Sequence, residues 1–180
     1  MHSQKKFNLR ILSLVLLSGL FSTQAIAAEG DDAIGTVGLG SYVLSLAINS
    51  NTYDYSGSAL TVGFNFNSWA SIYGHVYALT NTTWETEKID GSDIMIRFGK
   101  TGDGLMGFGS LGYYSETLSD TGYPSVDFSG TFIGYGIGYN WEHVSLVLEG
   151  SARGTNEYET FANSTDVIAA TGSLNISYRF

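Results

Sequence analysis

The last stretch of the chain, Val167 to Phe180, reads VIAATGSLNISYRF, and its hydrophobicity alternates residue by residue. Ile168, Ala170, Gly172, Leu174, Ile176, Tyr178 and Phe180 share one face of an extended chain, and Thr171, Ser173, Asn175, Ser177 and Arg179 share the other. Side chains alternate across a strand, so the segment predicts a ribbon with one apolar and one polar face. The same period recurs upstream. Leu60, Val62, Phe64 and Phe66 alternate with Thr61, Gly63, Asn65 and Asn67, and Ile94, Ile96 and Phe98 alternate with Met95, Arg97 and Gly99. Ile133, Tyr135, Ile137 and Tyr139 alternate with Phe132, Gly134, Gly136 and Gly138, and Val144, Leu146 and Leu148 with Ser145, Val147, Glu149 and Ser151.

Three further segments complete roughly eight strands. Gly35 to Ile48 places Tyr42, Leu44, Leu46 and Ile48 on one parity, with Ser41, Val43, Ser45 and Ala47 on the other, a good but imperfect alternation. Trp69 to Leu79 is read with Ala70, Ile72, Gly74 and Val76 outward and Tyr73, His75 and Tyr77 inward. Leu105 to Leu118 has glycines on both faces, which leaves its parity open. The connections between strands alternate in length: long at 49–58, 80–93, 118–128 and 154–166, short at 67–68, 101–104 and 140–143.

That asymmetry distinguishes a membrane barrel, with short turns at one rim and long loops at the other, from a soluble sandwich. Charged residues are scarce within the strands and crowd the loops, as a lipid-facing wall demands. Lipid cannot satisfy backbone N–H and C=O groups, so the sheet has to close, first strand on last. The pattern therefore predicts an all-β fold, an eight-stranded antiparallel transmembrane up-and-down β-barrel over residues 28–180. A barrel of about eight strands has room inside for side chains rather than an open channel.

Residues 1–27 read as a secretory signal peptide. Lys5, Lys6 and Arg10 precede the apolar run Ile11 to Leu20, and Ala25-Ile26-Ala27 offers a small-residue cleavage site. The run is shorter than the ~20 residues a membrane-spanning helix needs. All 17 acidic residues lie beyond Ala27, against five of the eight basic ones, so the mature chain is strongly anionic. Nucleic acid, which requires clustered Lys and Arg, is excluded as a partner, and polyanionic glycans are disfavoured. Cysteine is absent, which removes disulfides and thiolate metal sites.

With leader, alternation and the terminal Tyr178-Arg179-Phe180 together, the chain resembles the small bacterial outer-membrane β-barrels of the opacity-protein, Ail/OmpX and OmpA-transmembrane kind. The resemblance covers the mature chain in pattern and its two ends in motif. It implies residence in the cell outer membrane among lipid and lipopolysaccharide, a monomer, and no cofactor or metal. It further implies a C-terminal signal, Ile176, Tyr178 and Phe180, read by the barrel-assembly machinery. The acidic loops depart from the basic, matrix-binding loops of Ail-type proteins.

Candidate chemistry is sparse. Arg97 and Glu149 point inward at similar depth and are expected to pair across the lumen, in a polar network extended by His75, Glu116 or Arg179. Such a pair serves either as a satisfied plug or as a gate for small ions, and burial of an unpaired charge favours the plug. Trp69, Trp141 and Tyr139, beside the short turns, are expected in an aromatic girdle. The loop carboxylates Glu85, Glu87, Asp90, Asp93, Asp120, Asp127, Glu157, Glu159 and Asp166 lack the spacing of a Ca²⁺ loop. Tyr53 and Trp84 are expected in an outer aromatic belt. His143-Val144-Ser145 is weakly similar to the His-x-Ser of the lipid A deacylase family, with Glu157 as third member. The expected topology puts that histidine and that glutamate at opposite rims. The reading is thus a structural, surface-displaying outer-membrane barrel, not an enzyme; the rivals are a narrow ion-conducting pore and a lipid A-modifying hydrolase.

Overall fold

A computed structural model describes residues 35–180; the expected signal peptide lies outside the described residues. The described chain is a closed antiparallel barrel in which each strand pairs with its neighbours in sequence and β1 pairs with β8. The strands are β1 (Gly35–Ile48), β2 (Asn51–Asn65), β3 (Ala70–Asn81), β4 (Lys88–Lys100), β5 (Gly104–Ser119), β6 (Val126–Asn140), β7 (Val144–Arg153) and β8 (Val167–Arg179). One short helix, α1 (Asn156–Ala162), sits between β7 and β8.

The seam shows how closure is achieved. The register runs from Thr36 opposite Arg179 to Ile48 opposite Val167, and Gly35 and Phe180 exchange backbone hydrogen bonds at 2.8 and 3.0 Å. The sheet has no free edge, which is the condition for placing backbone in lipid. Residues 66–69, 101–103 and 141–143 form the tight connections at the rim that also holds Gly35 and Phe180. Gly104 leaves the second of these turns at φ 84°, a left-handed conformation that suits glycine.

The strands run further past the loop rim than the sequence predicts. The first loop, expected over 49–58, is a two-residue turn with Asn49 in the left-handed region at φ 55°. The second loop spans only 82–87, so Asp93 is a buried member of β4 rather than a loop carboxylate. Residues 154–166, read as irregular, contain α1.

Face assignments for β2, β3, β4, β6, β7 and β8 agree with the alternation. The open parity of β5 resolves with Met106, Phe108, Ser110, Tyr114 and Glu116 inside and Leu105, Leu111 and Tyr113 outside. In β6, inward-facing Gly136 lies against the Phe108 ring, where a Cβ would come within 2.3 Å of it, so a side chain there has no room. β1 corrects the apolar-out rule: Tyr42, Leu44 and Leu46 are buried inside, while Leu39 and Val43 face out.

The reason is that β1 crosses two environments. Toward the rim of the termini the wall is apolar outside, with Leu39, Phe64, Ile96, Leu111, Ile137, Leu148, Leu174 and Ile176 exposed. Beyond it, outward positions turn polar at Asp54, Ser56, Ser58, Asp90, Ser115, Thr117 and Asp127. There the interior becomes a hydrophobic core built from Tyr42, Leu44, Leu46, Tyr55, Tyr77, Leu79, Ile89, Tyr114, Phe128 and Tyr158.

Candidate functional site

The polar interior begins at the rim of the termini. Arg179, at the end of β8, is buried and donates from Nη1 to Asp103 Oδ1 (2.6 Å) and to the Trp141 carbonyl (2.5 Å), tying two turns to the last strand. Asn140 donates to the carbonyls of Thr101 and Gly102 and accepts from Ser145, closing the same end. Arg179 thus belongs to the turn structure and does not extend the mid-barrel pair.

Further along, Arg97 of β4 reaches across the lumen to β7, where its Nη2 donates to Glu149 Oε2 at 2.6 Å. Its guanidinium lies over the Tyr73 ring (3.7 Å) and near that of Phe108 (4.5 Å), and Ser110 donates to the other glutamate oxygen at 3.3 Å. Both partners are buried, so removing either strands a charge in a low-dielectric interior.

A second network fills the barrel toward the loop rim. His75 Nδ1 lies 2.8 Å from Asp93 Oδ1, and Tyr42 donates to Asp93 Oδ2 at 2.9 Å. Arg153, at the end of β7, donates to Tyr42 (3.1 Å), Tyr77 (2.9 Å) and Glu116 (2.5 Å). Tyr77 donates to Glu116 in turn. Sequence reasoning named His75 and Glu116 but missed Arg153, Asp93 and the tyrosines that join them. The signal was present: Asp93, Met95 and Arg97 share one parity, as do Glu149, Ser151 and Arg153. The expected 80–93 loop takes in Asp93, and Arg153 lies between the alternation read for β7 and the expected 154–166 loop.

Helix α1 caps this network. Tyr158 is its one buried residue, with its hydroxyl donating to Glu116 Oε1 at 2.5 Å and its ring 4.7 Å from Phe128. Burial, followed by the Glu116 carboxylate, holds the Tyr158 phenol well above its ordinary ionisation range. Between the two networks lies a cavity of about 10 Å³, lined by His75, Asp93, Glu149, Ser151, Thr171 and Ser173 among others.

The remaining expected site residues fall elsewhere. Trp69, Trp141 and Tyr139 are exposed outside the barrel at the rim of the termini, where Tyr139 packs 4.8 Å from Trp141. Ile176 and Tyr178 on β8, and Phe180 just after it, are exposed on the outward face. Trp84 is exposed at the loop rim, and Tyr53 tilts against it from a half-buried position, 5.8 Å away. His143 is exposed in a turn, Ser145 points inward to Asn140, and Glu157 bonds Ser129 at the opposite rim. The His-x-Ser pair and its proposed acid are therefore not assembled. Among the described residues no cluster of three or more His, Asp or Glu side chains suits a metal.

Comparison with solved structures decides the architecture. Neisserial surface protein A aligns with a TM-score of 0.59 at 11% identity, covering 81% of this chain and 97% of that one. Ail, the attachment invasion locus protein of Yersinia pestis, aligns with a TM-score of 0.55 at 16% identity, covering 83% and 99%. OprG from Pseudomonas aeruginosa aligns at 0.51 and 12%, covering 84% and 98%. The fold is that of the small outer-membrane barrels. No family model matches the sequence, and no curated protein matches it. The apolar exterior band around a polar interior is the same inversion that such barrels require in a bilayer.

Proposed function

We propose that this protein is a structural, surface-displaying barrel of the outer membrane that presents its loop rim to the exterior and conducts no ions. The observation that carries this reading is the filled bore inside a lipid-facing wall. Arg97 and Glu149 cross the lumen, and Arg153, Glu116 and Tyr158 close it again above. Both obstructions are hydrogen-bonded side chains on strands or on a helix packed against the wall, and opening either one exposes a buried charge.

The loop rim is the surface available to a partner. Trp84, Tyr123 and Phe161 are exposed there among Glu85, Asp120, Glu157 and Glu159, with Lys88 as the nearest counter-charge in sequence. One of the solved Ail structures holds a heparin analogue, sucrose octasulfate. A polysulfate does not suit an anionic rim, so loop-mediated adhesion here would select a neutral or basic partner through aromatic contacts. Trp69, Trp141 and Tyr139 serve as the inner girdle, and Ile176, Tyr178 and Phe180 as the strand presented to the assembly machinery.

Outer-membrane fractionation followed by electrophoresis with and without boiling tests this reading. A folded barrel migrates differently before boiling, and the mature chain should begin at Ala28. Recovery as a detergent-free periplasmic protein would overturn it. Planar-bilayer recordings of purified protein are expected to show no discrete channels, and steady unitary currents abolished in Glu149→Gln would favour the narrow pore instead.

A further inference from the structure

The connection between β3 and β4, residues 82–87, holds its backbone tightly and leaves its side chains unengaged. Asn81 Oδ1 accepts from the N–H groups of Thr83 (2.8 Å) and Trp84 (3.0 Å), and Asn81 Nδ2 donates to Glu87 Oε2 (2.9 Å). Asn81 N–H donates to the Glu87 carbonyl and Glu87 N–H to the Trp84 carbonyl, both at 3.0 Å. Thr82 N–H donates to the Asp54 carbonyl of β2 at 2.8 Å, and Tyr55 donates to Glu87 Oε2 at 3.0 Å. At the tip the situation reverses. Thr82, Thr83, Trp84, Glu85 and Thr86 are all exposed, and their side-chain polar groups make no hydrogen bond among the described residues.

Trp84 is the centre of this tip. Its indole is 50% exposed and rests on one side against the Tyr53 ring, with centroids 5.8 Å apart, and Tyr53 packs in turn on the hydrophobic core. The pair stands clear of the apolar band. On β4 the last outward apolar residue is Ile94, and Ser92, Asp90 and Lys88 follow it before the loop begins. On β2 the outward order is Leu60, Ser58, Ser56 and Asp54. Three such positions span about 20 Å of extended chain, so the indole lies beyond the reach of hydrocarbon.

We propose that the tip of loop 82–87 is a binding site for uncharged pyranose rings of a glycan. The open indole face carries the negative side of its quadrupole and attracts the polarised C–H groups on the apolar face of a sugar ring. Hydroxyls at the edge of that ring need donors and acceptors together. Thr82, Thr83 and Thr86 supply both, and Glu85 supplies two acceptor oxygens. The backbone is already fixed, so binding costs little ordering of the loop. Glu85, Glu87 and Asp54 disfavour phosphorylated, sulfated and uronic sugars. The inference rests on the loop rim being the displayed surface and names what that surface recognises.

The test uses the full barrel in nanodiscs, after the boiling assay has shown it folded, so loss of sugar binding is read separately from loss of the barrel. Trp69→Phe and Trp141→Phe leave Trp84 as the one tryptophan of the chain. Its emission and its quenching by acrylamide are followed during titration with neutral oligosaccharides of glucose, galactose, mannose and N-acetylglucosamine. At least one should shield the indole at about millimolar concentration. Calorimetry on the otherwise native chain should then show that sugar bound more than about tenfold more weakly by Trp84→Ala, and about threefold more weakly by Glu85→Gln. Sucrose octasulfate should give no shielding. Vesicles of complete lipopolysaccharide, compared with vesicles of lipopolysaccharide cut back to its lipid A end, separate the two sources of such sugars. Shielding by the complete form assigns the ligand to the barrel's own membrane, and shielding only by added oligosaccharide assigns it to another surface. Absence of shielding by every neutral sugar and by lipopolysaccharide, shielding by the octasulfate instead, or quenching of Trp84 by brominated lipid tails overturns the proposal.

Discussion

The two ends of this barrel obey opposite rules. Toward the termini, apolar side chains face out and the interior holds Ser71, Ser145, Ser173, Asn175, Ser177 and Arg97, with a hydrophobic cluster of only Met106, Phe108 and Val147. Toward the loops, Ser, Thr and Asp face out and tyrosines, leucines and phenylalanines pack inside around Arg153. One continuous sheet therefore serves as a membrane protein over part of its length and as a water-soluble one over the rest. The solvent outside decides which face is greasy, and closure of the hydrogen-bonded ladder is common to both parts.

The contrast can be broken at defined positions, and the largest effect belongs to the lumen-crossing pair. Arg97→Ala strands Glu149 and should cost about 3–5 kcal/mol of unfolding free energy, measured by urea titration in lipid vesicles. Substituting both partners with uncharged side chains of similar volume should recover most of that loss. In the loop-rim core, Leu44→Ala should cost about 2–5 kcal/mol by leaving a cavity, a penalty typical of soluble cores.

An outward charge separates the two halves most cleanly. Leu174→Arg places a cation on the lipid face and should cost about 2–4 kcal/mol. The same residue at Ser115, two positions past exposed Tyr113 on β5, should cost close to nothing. Smallest of all, Asp54→Ala loses an exposed hydrogen bond from Ser45 and should change stability by less than about 0.5 kcal/mol.

Much of this is legible in the sequence. In the lipid-facing parts of β2, β4, β6, β7 and β8 the apolar-out alternation is unbroken and announces both the strand and its face. β1 misled because its second half lies in the soluble part, so its greasiest residues turn inward. Periodicity reports a face but does not say which solvent lies beyond it. The same change of regime hid the rest of the interior network. Outward Asp, Ser and Thr beyond the apolar band resemble loop residues, so the sequence pattern does not extend the strands to Asp93 and Arg153. Helix α1 carried no signal of its own. Seven residues span under two turns, too few for a hydrophobic period, and what makes it a helix is Tyr158 docking on Glu116 and Phe128.

The change of solvent along the wall is most directly tested on β5 in bilayers, since the chain has no cysteine and single nitroxide labels are unambiguous. Labels at the outward positions Leu105, Leu111, Tyr113, Ser115 and Thr117 would be compared for collision with oxygen and with a water-soluble nickel chelate. The account predicts lipid-like accessibility from Leu105 through Tyr113 and water-like accessibility at Ser115 and Thr117. A strand that reads as water-exposed throughout, or as lipid-exposed through Thr117, would contradict it.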